Sequence, residues 1–570
     1  MNKTYVLLFL IFSCILSTTG QEPIYLAESI HHPQIAEQGM VATQHHAASK
    51  VGLEILKQGG NAIDAAVAIG FSLAVVLPRA GNLGGGGFML VHNSEDKKTH
   101  AINYREIAPK QSGRDMYLDK DGNVDNKKFN SSYHSIGVPG TVAGLCHALE
   151  QYGTMSIDQV VAPAIKLARE GFEISHDLAG VLDTYQKRLR ACPETEKIFY
   201  KEDGSIYNAG DILIQKDLAW SLEQIAKHGA KSFYEGELAK RLATDIRSNG
   251  GIMHTDDLKA YKAEEVDVVK GSYRGYDIYS MPPPSSGGVH IIQMLNILQE
   301  YPLDFLGHNS AETIHLMVEA MRVAYADRSE HLGDPNYWDV PVKWICSKEY
   351  AKDLRKKIST FNANDSKDIK PGTPKDYESE ETTHFSVVDK YGNAVSNTYT
   401  LNFSFGTGLV AKGTGILLNN EMGDFSAKPG TANAFGLIGG AANAVEAGKR
   451  PLSSMTPTMV FKDNSPFLIT GSPGGSRIIT TVLQIILNVI DHNMNVAEAT
   501  HATRIHHQWY PDILYSEKVL NTDTKRLLAA KGHIVKTRAA MGSTQTLMLK
   551  DGFIFGASDP RRPDASTLGF

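Results

Sequence analysis

An abrupt change of composition at Thr382 constrains this chain more than any other feature. Residues 371–381 are charged and rich in turn-forming residues, whereas a strand pattern begins at Thr382 and runs to Asp389. Cleavage of the peptide bond before Thr382 would give this residue a free α-amine beside its own hydroxyl. A hydroxyl with a built-in base is one recognised form of activated nucleophile. Taken alone, Thr382 also fits a half-buried strand position, so the rest of the sequence has to decide.

The first twenty residues have the pattern of an export signal. Lys3 supplies a positive charge, Tyr5–Leu16 is apolar, and small residues lead up to Gly20, after which we expect cleavage. A lipoprotein signal at Cys14 is disfavoured by Phe12, and the apolar run is too short to span a membrane. The sequence therefore predicts a periplasmic or secreted protein with no membrane span in the mature chain.

Charge and cysteine content exclude several function classes. The net charge of −6 gives no sign of binding to nucleic acid or to an anionic membrane surface. After removal of the signal, Cys146, Cys192 and Cys346 remain, widely spaced and without a CxxC pair. We therefore expect inert thiols, at most one disulfide and no zinc site. The histidine pairs at 45–46 and 506–507 have no carboxylate at ligand spacing, so the sequence predicts neither a metal nor a cofactor.

Helical patterns dominate the chain before residue 359. Asn61 is placed to cap a small-residue helix, Ala62–Val76, which we expect to be buried on most of its faces. The glycines at 84–87 precede a strand instead of following one, which excludes a dinucleotide-binding turn. Residues 359–381 are rich in Asp, Lys, Ser, Pro and Glu, a composition typical of a solvated and easily cut linker.

Beyond the linker the composition turns to strands and glycine-rich turns. Strand patterns occupy residues 386–389, 394–401, 415–419, 458–462, 467–471, 544–550 and 554–556. The apolar helix Ile478–Ile490 is too short for a membrane span and is predicted to lie in the core. Strands combined with packed helices favour a layered α+β fold, most simply of the αββα kind.

The register of one hairpin follows from the sequence. If Asp389 pairs with Asn393 across the turn between them, counting back along both strands places Thr400 opposite Thr382. Asn402 then follows on the same face, two residues later. Threonine pairs across strands are also common for structural reasons, so the register alone does not establish a function.

The run Gly471–Arg477 leads directly into the helix at 478–490. Successive backbone N–H groups at a helix N-terminus bind anions, and two free N–H groups suit a tetrahedral oxyanion. A phosphate loop is disfavoured because the segment has no GxxxxGK pattern. An ordinary tight turn with a helix cap fits the sequence equally well.

Five further polar residues are candidates for binding a charged substrate. Arg105 is suited to a bidentate grip on a carboxylate, or to a surface ion pair with a neighbouring acid. Ser453 and Ser454 place two hydroxyls before a strand. Glu421 and Asp424 lie in one loop, where they would either hold an ammonium group or form a solvated turn.

Together, several motifs resemble those of the γ-glutamyltranspeptidase family, in the family's order. The resemblance runs from about Met40 to the C-terminus, and each motif alone is modest. The motifs are Gly81-Asn82-Leu83-Gly84-Gly85-Gly86, Tyr104-Arg105-Glu106, Thr382–Asp389, Leu417-Leu418-Asn419-Asn420, Arg450-Pro451-Leu452-Ser453-Ser454-Met455 and Gly471–Arg477.

The resemblance implies an N-terminal-nucleophile hydrolase with a four-layer αββα sandwich. A precursor would cleave itself between Glu381 and Thr382. The products would be a large subunit, 21–381, ending in the linker 359–381, and a small catalytic subunit, 382–570. The implied substrates are glutathione and other γ-glutamyl compounds, with water, an amino acid or a peptide as acceptor.

The resemblance also assigns roles to individual residues. Thr382 would cleave its own chain and then act as the catalytic nucleophile, with its α-amine, of reference pKa near 8, as the base. The remaining roles are Thr400 on the Thr382 hydroxyl, Gly474 and Gly475 as oxyanion donors, Arg105, Ser453 and Ser454 on the substrate α-carboxylate, and Asn402, Glu421 and Asp424 on its α-amine, with Thr400 and Gly475 also touching the substrate.

Two positions depart from the family pattern or vary within it. Phe435 lies where many bacterial members carry a lid Tyr, so an apolar cover is retained and a gate through the Tyr hydroxyl is not. Glu421 is Gln in some members, and Glu favours an ammonium group more strongly. A β-lactam side-chain acylase of the same superfamily is the main alternative. A processed binding protein without activity is a weaker one, because the nucleophile and the oxyanion donors are present.

Overall fold

Two seven-stranded antiparallel sheets form the centre of the molecule in the computed structural model. The structure describes residues 29–369 and 382–570, and Pro33–Phe570 forms one unit. The predicted signal at residues 1–20, the end of the linker and the Glu381 side of the predicted cut lie outside the described residues.

The strands are numbered in chain order. They are β1 Gln34–Ala36, β2 Gly39–Thr43, β3 Gly86–Asn93, β4 Lys98–Tyr104, β5 Phe172–Glu173, β6 Ile212–Leu213, β7 Glu264–Asp267, β8 Val269–Tyr273, β9 Tyr276–Ser280, β10 Thr383–Asp389, β11 Ala394–Thr400, β12 Val410–Ala411, β13 Ile416–Leu417, β14 Thr458–Lys462, β15 Ser465–Thr470, β16 Ile505–His506, β17 Leu514–Glu517, β18 Val535–Arg538, β19 Gln545–Lys550, β20 Phe553–Ser558 and β21 Ser566–Gly569. The longer helices are His46–Lys57, Ala62–Val76, Thr141–Tyr152, Ile157–Glu170, His176–Thr184, Lys216–His228, Glu237–Ser248, Gly287–Leu298, Ala311–His331, Lys348–Arg355, Arg477–Ile490 and Thr522–Ala530.

The strand order places one hairpin at the centre of a sheet. The first sheet has the order β1-β20-β19-β15-β14-β9-β8, and the second has the order β21-β2-β10-β11-β3-β4-β7. Every residue of β10 and β11 is buried. Strand β11 pairs with β3 along its whole length, so Thr400 is held at its end, whereas the Thr383 end of β10 pairs with β11 alone.

Helices cover the outer faces of both sheets. One core cluster joins the second sheet to the helices Ala62–Val76 and Thr141–Tyr152. The other joins the facing sides of the two sheets to the helices Gly287–Leu298, Ala311–His331 and Arg477–Ile490. This order of layers is the predicted αββα sandwich, and the α+β prediction is confirmed.

The helix Ala62–Val76 is buried along its whole length, as its small-residue composition predicts. Its N-terminus has a capping box, in which Asn61 accepts from the backbone N–H of Asp64 and the Asp64 carboxylate accepts from the N–H of Asn61. The carboxylate of Asp389 also accepts from the N–H of Ala62 at 2.9 Å. The hairpin turn after β10 is therefore fixed to the start of this helix.

Strands from before and after Thr382 alternate within the second sheet. Strand β2 pairs with β10 on one side and with β21 on the other, and β11 pairs with β3. The first sheet also joins segments from both sides of Thr382, since β9 pairs with β14 and β1 with β20. A cut before Thr382 would leave the two fragments joined by these backbone ladders and by both core clusters.

Some local predictions need correction. The strand expected at 415–419 shrinks to Ile416–Leu417, because Gly413 and Gly415 adopt positive φ angles and turn the chain. Cys146, Cys192 and Cys346 are free thiols. Burial raises the pKa of Cys146 to about 12, which keeps this thiol unreactive. No helix in residues 29–369 and 382–570 is long and apolar enough to cross a membrane.

Candidate active site

The β10–β11 hairpin brings Thr382 and Thr400 together. Thr383 pairs with Tyr399 and Val388 with Ala394, which is the register predicted from the sequence. The Thr382 hydroxyl donates to Thr400 Oγ1 at 3.4 Å, and the N–H of Asn402 donates to the same oxygen at 2.9 Å. The backbone of Asn402 has a φ of 76°, so the chain turns sharply away from β11 at this point.

A small pocket opens beside Thr382. All the site residues predicted from the sequence line it, except Gly474. The remaining lining consists of Arg328, Ser476 and five apolar residues. The full lining is Arg105, Arg328, Thr382, Thr400, Asn402, Glu421, Asp424, Phe435, Leu437, Leu452, Ser453, Ser454, Met455, Gly475, Ser476 and Ile478.

Arg105 lies at the end of β4 and is completely buried. It donates to the carboxylates of Glu421 and Asp424, the latter at 2.5 Å, and its Nε donates to the backbone oxygen of Pro451 at 3.2 Å. Glu106 is 3.4 Å from the same guanidinium. The alternative of an ion pair between Arg105 and neighbouring acids is therefore observed, but the pair is buried and not at the surface. The alternative of a solvated turn is wrong for Glu421, which is fully buried.

Burial dominates the electrostatics of this cluster. It raises the pKa of Glu421 and of Asp424 above their ordinary values, and it raises the pKa of Glu106 to about 7. Burial alone would lower the pKa of Arg105, but the Glu421 and Asp424 carboxylates reverse this effect and raise it. Glu421 Oε2 is buried and has no hydrogen-bond partner among the described residues. This oxygen is therefore available to accept from a ligand N–H.

The two serines line the same pocket. Ser453 is fixed by backbone hydrogen bonds with Pro284 and Ser286, and its hydroxyl accepts from the N–H of Met455 at 3.1 Å. The Ser454 hydroxyl accepts from Arg328 Nη2 at 3.2 Å. Arg328 was not predicted from the sequence, because it is one of two arginines in the helix Ala311–His331 and follows Asp327, so its local sequence does not set it apart.

The glycine turn has the geometry of an anion site. Gly474 and Gly475 have φ angles of 132° and 54°, which side-chain-bearing residues adopt rarely. Their carbonyls accept the first hydrogen bonds of the helix Arg477–Ile490. Their own N–H groups have no acceptor among residues 29–369 and 382–570. Gly475 lines the pocket, while Gly474 lies one residue behind it.

Phe435, the residue at the predicted lid position, lines one side of the pocket. Its ring packs edge-on against Phe403, with 6.0 Å between ring centroids. Gln508 Nε2 donates to its backbone oxygen at 3.1 Å. The cover at this position is apolar, as the sequence predicts.

A buried group of His315, Glu319 and His533 was not singled out by sequence analysis, although His315 and Glu319 have helical i, i+4 spacing. His315 Nδ1 and His533 Nε2 are 2.8 Å apart, and His315 Nε2 donates to the backbone oxygen of Ser359 at 2.7 Å. Asn364 donates to Glu319 at 2.6 Å. Since the converging atoms already have protein partners, we assign this group to fixing the start of the linker.

The comparison with known proteins agrees with this geometry. A family model described as gamma-glutamyltranspeptidase matches residues 48–568, which include every predicted site residue. The chain belongs to the gamma-glutamyltranspeptidase family. The glutathione hydrolase proenzyme of Escherichia coli K12 is 54% identical over 544 residues, covering 95% of this chain and 94% of that protein.

Acylases are also similar to this gamma-glutamyltranspeptidase family member. The acylase ACY 1 proenzyme of Pseudomonas sp. V22 is 35% identical, with 92% of each chain covered. The crystal structure of a cephalosporin acylase from Bacillus halodurans matches with a TM-score of 0.84 and 27% identity, covering 96% of this chain and 98% of that one. The Helicobacter pylori gamma-glutamyltranspeptidase structure matches 57% of this chain and 94% of its own, with 46% identity and a TM-score of 0.57.

Proposed function

We propose that this protein is an exported, self-processing γ-glutamyltransferase and glutathione hydrolase. The proposed mature enzyme consists of a large subunit, 21–381, and a small catalytic subunit, 382–570, formed from one precursor after loss of a signal at residues 1–20. We place it in the periplasm or outside the cell. Its substrates are glutathione and other γ-glutamyl compounds.

The observation that carries this proposal is one pocket with three kinds of group. It contains a threonine hydroxyl, a turn with free N–H groups, and a cluster of one arginine, two serines and two carboxylates. A γ-glutamyl group has one amide to be cleaved and one zwitterionic head. The hydroxyl and the turn suit the amide, and the charged cluster suits the head.

In the first half-reaction Thr382 Oγ1 attacks the γ-carbonyl carbon. The hydroxyl proton passes to the α-amine of Thr382, while Thr400 orients the hydroxyl. The N–H groups of Gly474 and Gly475 stabilise the negative charge on the carbonyl oxygen. The carbon–nitrogen bond then breaks, the leaving amine takes the proton, and a γ-glutamyl ester remains on Thr382.

In the second half-reaction an acceptor attacks this ester. Water gives glutamate, whereas the amine of an amino acid or peptide gives a new γ-glutamyl amide. The acceptor proton passes to the α-amine and then to the departing Thr382 oxygen. The same groups serve both halves, so no cofactor enters the scheme.

Chain cleavage uses the same hydroxyl. In the precursor Thr382 Oγ1 attacks the carbonyl carbon of Glu381, and the acyl group moves from nitrogen to oxygen. Water then hydrolyses the ester, which leaves a carboxylate on Glu381 and a free α-amine on Thr382. Because this amine is the base of the mature enzyme, we expect the uncut chain to be inactive.

The test is the fate of Thr382→Ala, with Thr382→Ser as the matched control. We expect the alanine variant to give one band on a denaturing gel and the serine variant to give two. N-terminal sequencing of the small fragment should begin at Thr382, or at the replacing serine. Maturation of the alanine variant at the same bond would show that Thr382 does not cleave the chain.

A β-lactam side-chain acylase is the second candidate, favoured by the similarity to the cephalosporin acylase structure. A glutaryl side chain carries a carboxylate but no amine, so it would leave the buried carboxylates of Glu421 and Asp424 without a cationic partner from the substrate. We therefore expect turnover of a γ-glutamyl anilide to exceed that of a glutaryl β-lactam. The reverse preference would favour the acylase.

A further inference from the structure

Arg328 is a buried cation in the pocket wall that the proposed mechanism does not use. It extends from the helix Ala311–His331, and only 5% of it is exposed. Its Nε donates to Ser286 Oγ at 2.9 Å and its Nη2 to Ser454 Oγ at 3.2 Å. Among the described residues no carboxylate forms an ion pair with it.

The absence of a contacting carboxylate among the described residues distinguishes Arg328 from four other buried arginines. Arg79, Arg322 and Arg504 each contact a carboxylate, and Arg105 contacts several. Burial lowers the pKa of Arg328 to about 10, so the group still carries its charge at neutral pH. A buried charge that is hydrogen-bonded only to neutral hydroxyls is costly, and an anion at hydrogen-bond distance would offset that cost.

The hydrogen bonds of Arg328 also determine what its serine partners can do. Ser286 Oγ donates its own proton to the backbone oxygen of Ser453 at 2.8 Å and is therefore fully engaged. Ser454 Oγ accepts from Arg328, which occupies one oxygen lone pair and leaves its hydroxyl proton free to be donated. Ser454 lines the pocket, so an acceptor in the pocket is where that proton would go.

The charges already present leave the two arginines in different states. Arg105 contacts Glu421 and Asp424, which neutralise part of the positive charge that it can offer a substrate carboxylate. Arg328 contacts Ser454, and Asp424 acts on its charge only from beyond ion-pair distance. A zwitterionic head would therefore turn its carboxylate toward the serines and its amine toward Glu421 and Asp424.

We propose that Arg328 is the positioning residue that selects substrates carrying an α-carboxylate. It holds Ser454 so that the hydroxyl donates to this carboxylate, and it supplies behind that hydroxyl a positive charge that no carboxylate of the described residues contacts. This inference rests on the proposed γ-glutamyl chemistry and extends it to one side chain.

The competing explanation is a purely structural one, in which Arg328 only ties its helix to the serine loop. Two substrates separate the explanations, because they differ only in the α-carboxylate. γ-Glutamyl p-nitroanilide has it, and 4-aminobutanoyl p-nitroanilide has the same amide and the same amine without it. A structural defect lowers turnover of both, whereas loss of carboxylate selection lowers only the first.

We would compare mature wild type with Arg328→Met and Arg328→Lys, correcting for the fraction of cleaved chains. For Arg328→Met we expect kcat/KM on the γ-glutamyl anilide to fall about tenfold to a hundredfold, mostly through KM, since one charge-assisted interaction is lost. The value for the 4-aminobutanoyl anilide should stay within about threefold. For Arg328→Lys, which keeps the charge but not the planar fork, kcat/KM on the γ-glutamyl anilide should lie between the values of wild type and Arg328→Met.

A double-mutant cycle of Arg328→Lys with Ser454→Ala keeps the test decisive if Arg328→Met does not fold. If Arg328 acts through Ser454, Arg328→Lys causes little further loss on the γ-glutamyl anilide once Ser454 is alanine. Equal losses on both anilides in these variants would overturn the role of Arg328 and leave the proposed function intact. Failure of mature wild type to cleave the γ-glutamyl anilide at all would overturn the proposed function itself.

Discussion

Thr400→Val removes one hydroxyl from the centre of the proposed site and changes little else. Valine has nearly the shape of threonine, and position 400 is buried at the end of a central strand, so no large cavity is created. The hydrogen bonds lost include those from the Thr382 hydroxyl at 3.4 Å and from the N–H of Asn402 at 2.9 Å. The variant therefore separates the stability of the turn from the reactivity of Thr382.

The expected magnitudes follow from these two bonds. The buried N–H of Asn402 loses its acceptor, which costs about 1–3 kcal/mol of unfolding free energy. The Thr382 hydroxyl loses the partner that orients it, and such hydrogen bonds tighten as charge develops in the transition state. A loss of about 1.5–3 kcal/mol there slows chain cleavage about tenfold to a hundredfold.

Two assays measure the two effects separately. The rate of cleavage is read from the disappearance of the precursor band over time in otherwise unaltered chains. Stability is measured by denaturant unfolding in a Thr382→Ala background, so that reference and variant both remain uncut. Thr400→Ser restores the hydroxyl and should recover most of the cleavage rate. If Thr400→Val matures as fast as the wild type, or Thr400→Ser as slowly as Thr400→Val, the hydroxyl does not orient the nucleophile.

Three further predictions concern the charged cluster and the core. Glu421→Gln keeps the shape of the side chain but removes the charge facing the substrate amine. KM for the γ-glutamyl anilide should therefore rise about tenfold with kcat little changed. An unchanged KM would exclude the contact between Glu421 and the amine. Glu106 has a pKa raised to about 7 by burial, so it gains negative charge beside Arg105 as the pH rises through that value. KM for the γ-glutamyl anilide should therefore rise between about pH 6 and pH 8 in the wild type and stay constant in Glu106→Gln. The same dependence of KM on pH in both proteins would contradict this reasoning. Asn61→Ala removes the capping box of the buried helix and should lower the free energy of unfolding by about 1–2 kcal/mol in the Thr382→Ala background, whereas Asn61→Ser should retain most of it.

The raised pKa of Glu106 also predicts how this residue affects the free energy of unfolding. Its pKa is raised in the folded protein, so the folded state holds this proton more tightly than the unfolded chain. The contribution is present below the ordinary glutamate pKa and is lost as the pH rises to about 7. Glu106→Gln should therefore flatten the decline of stability over this interval.

Local features of the site were accessible from the sequence for a physical reason. The hairpin at 382–400 is formed by neighbours in the chain joined by a short turn, so its period of two residues and its turn residues determine which side chains face each other. The helix Ala62–Val76 is also local, because its small-residue composition and its Asn61 cap need no distant partner to be recognised. The roles of single residues came from the family resemblance, since Arg105 and Glu421 are far apart in sequence and no periodicity connects them.

Sequence by itself determined the composition break at Thr382, the register that places Thr400 beside it, and the order of motifs that identifies the family. Tertiary structure decided everything that depends on distant segments meeting. The pairing of β2 with β10 and of β11 with β3 interleaves chain from both sides of Thr382. Folding also buried Arg105 in contact with carboxylates, whereas Arg328 contacts serine hydroxyls. Burial and neighbouring charge set the free-energy cost of burying each cation, and both exist only after the chain has packed.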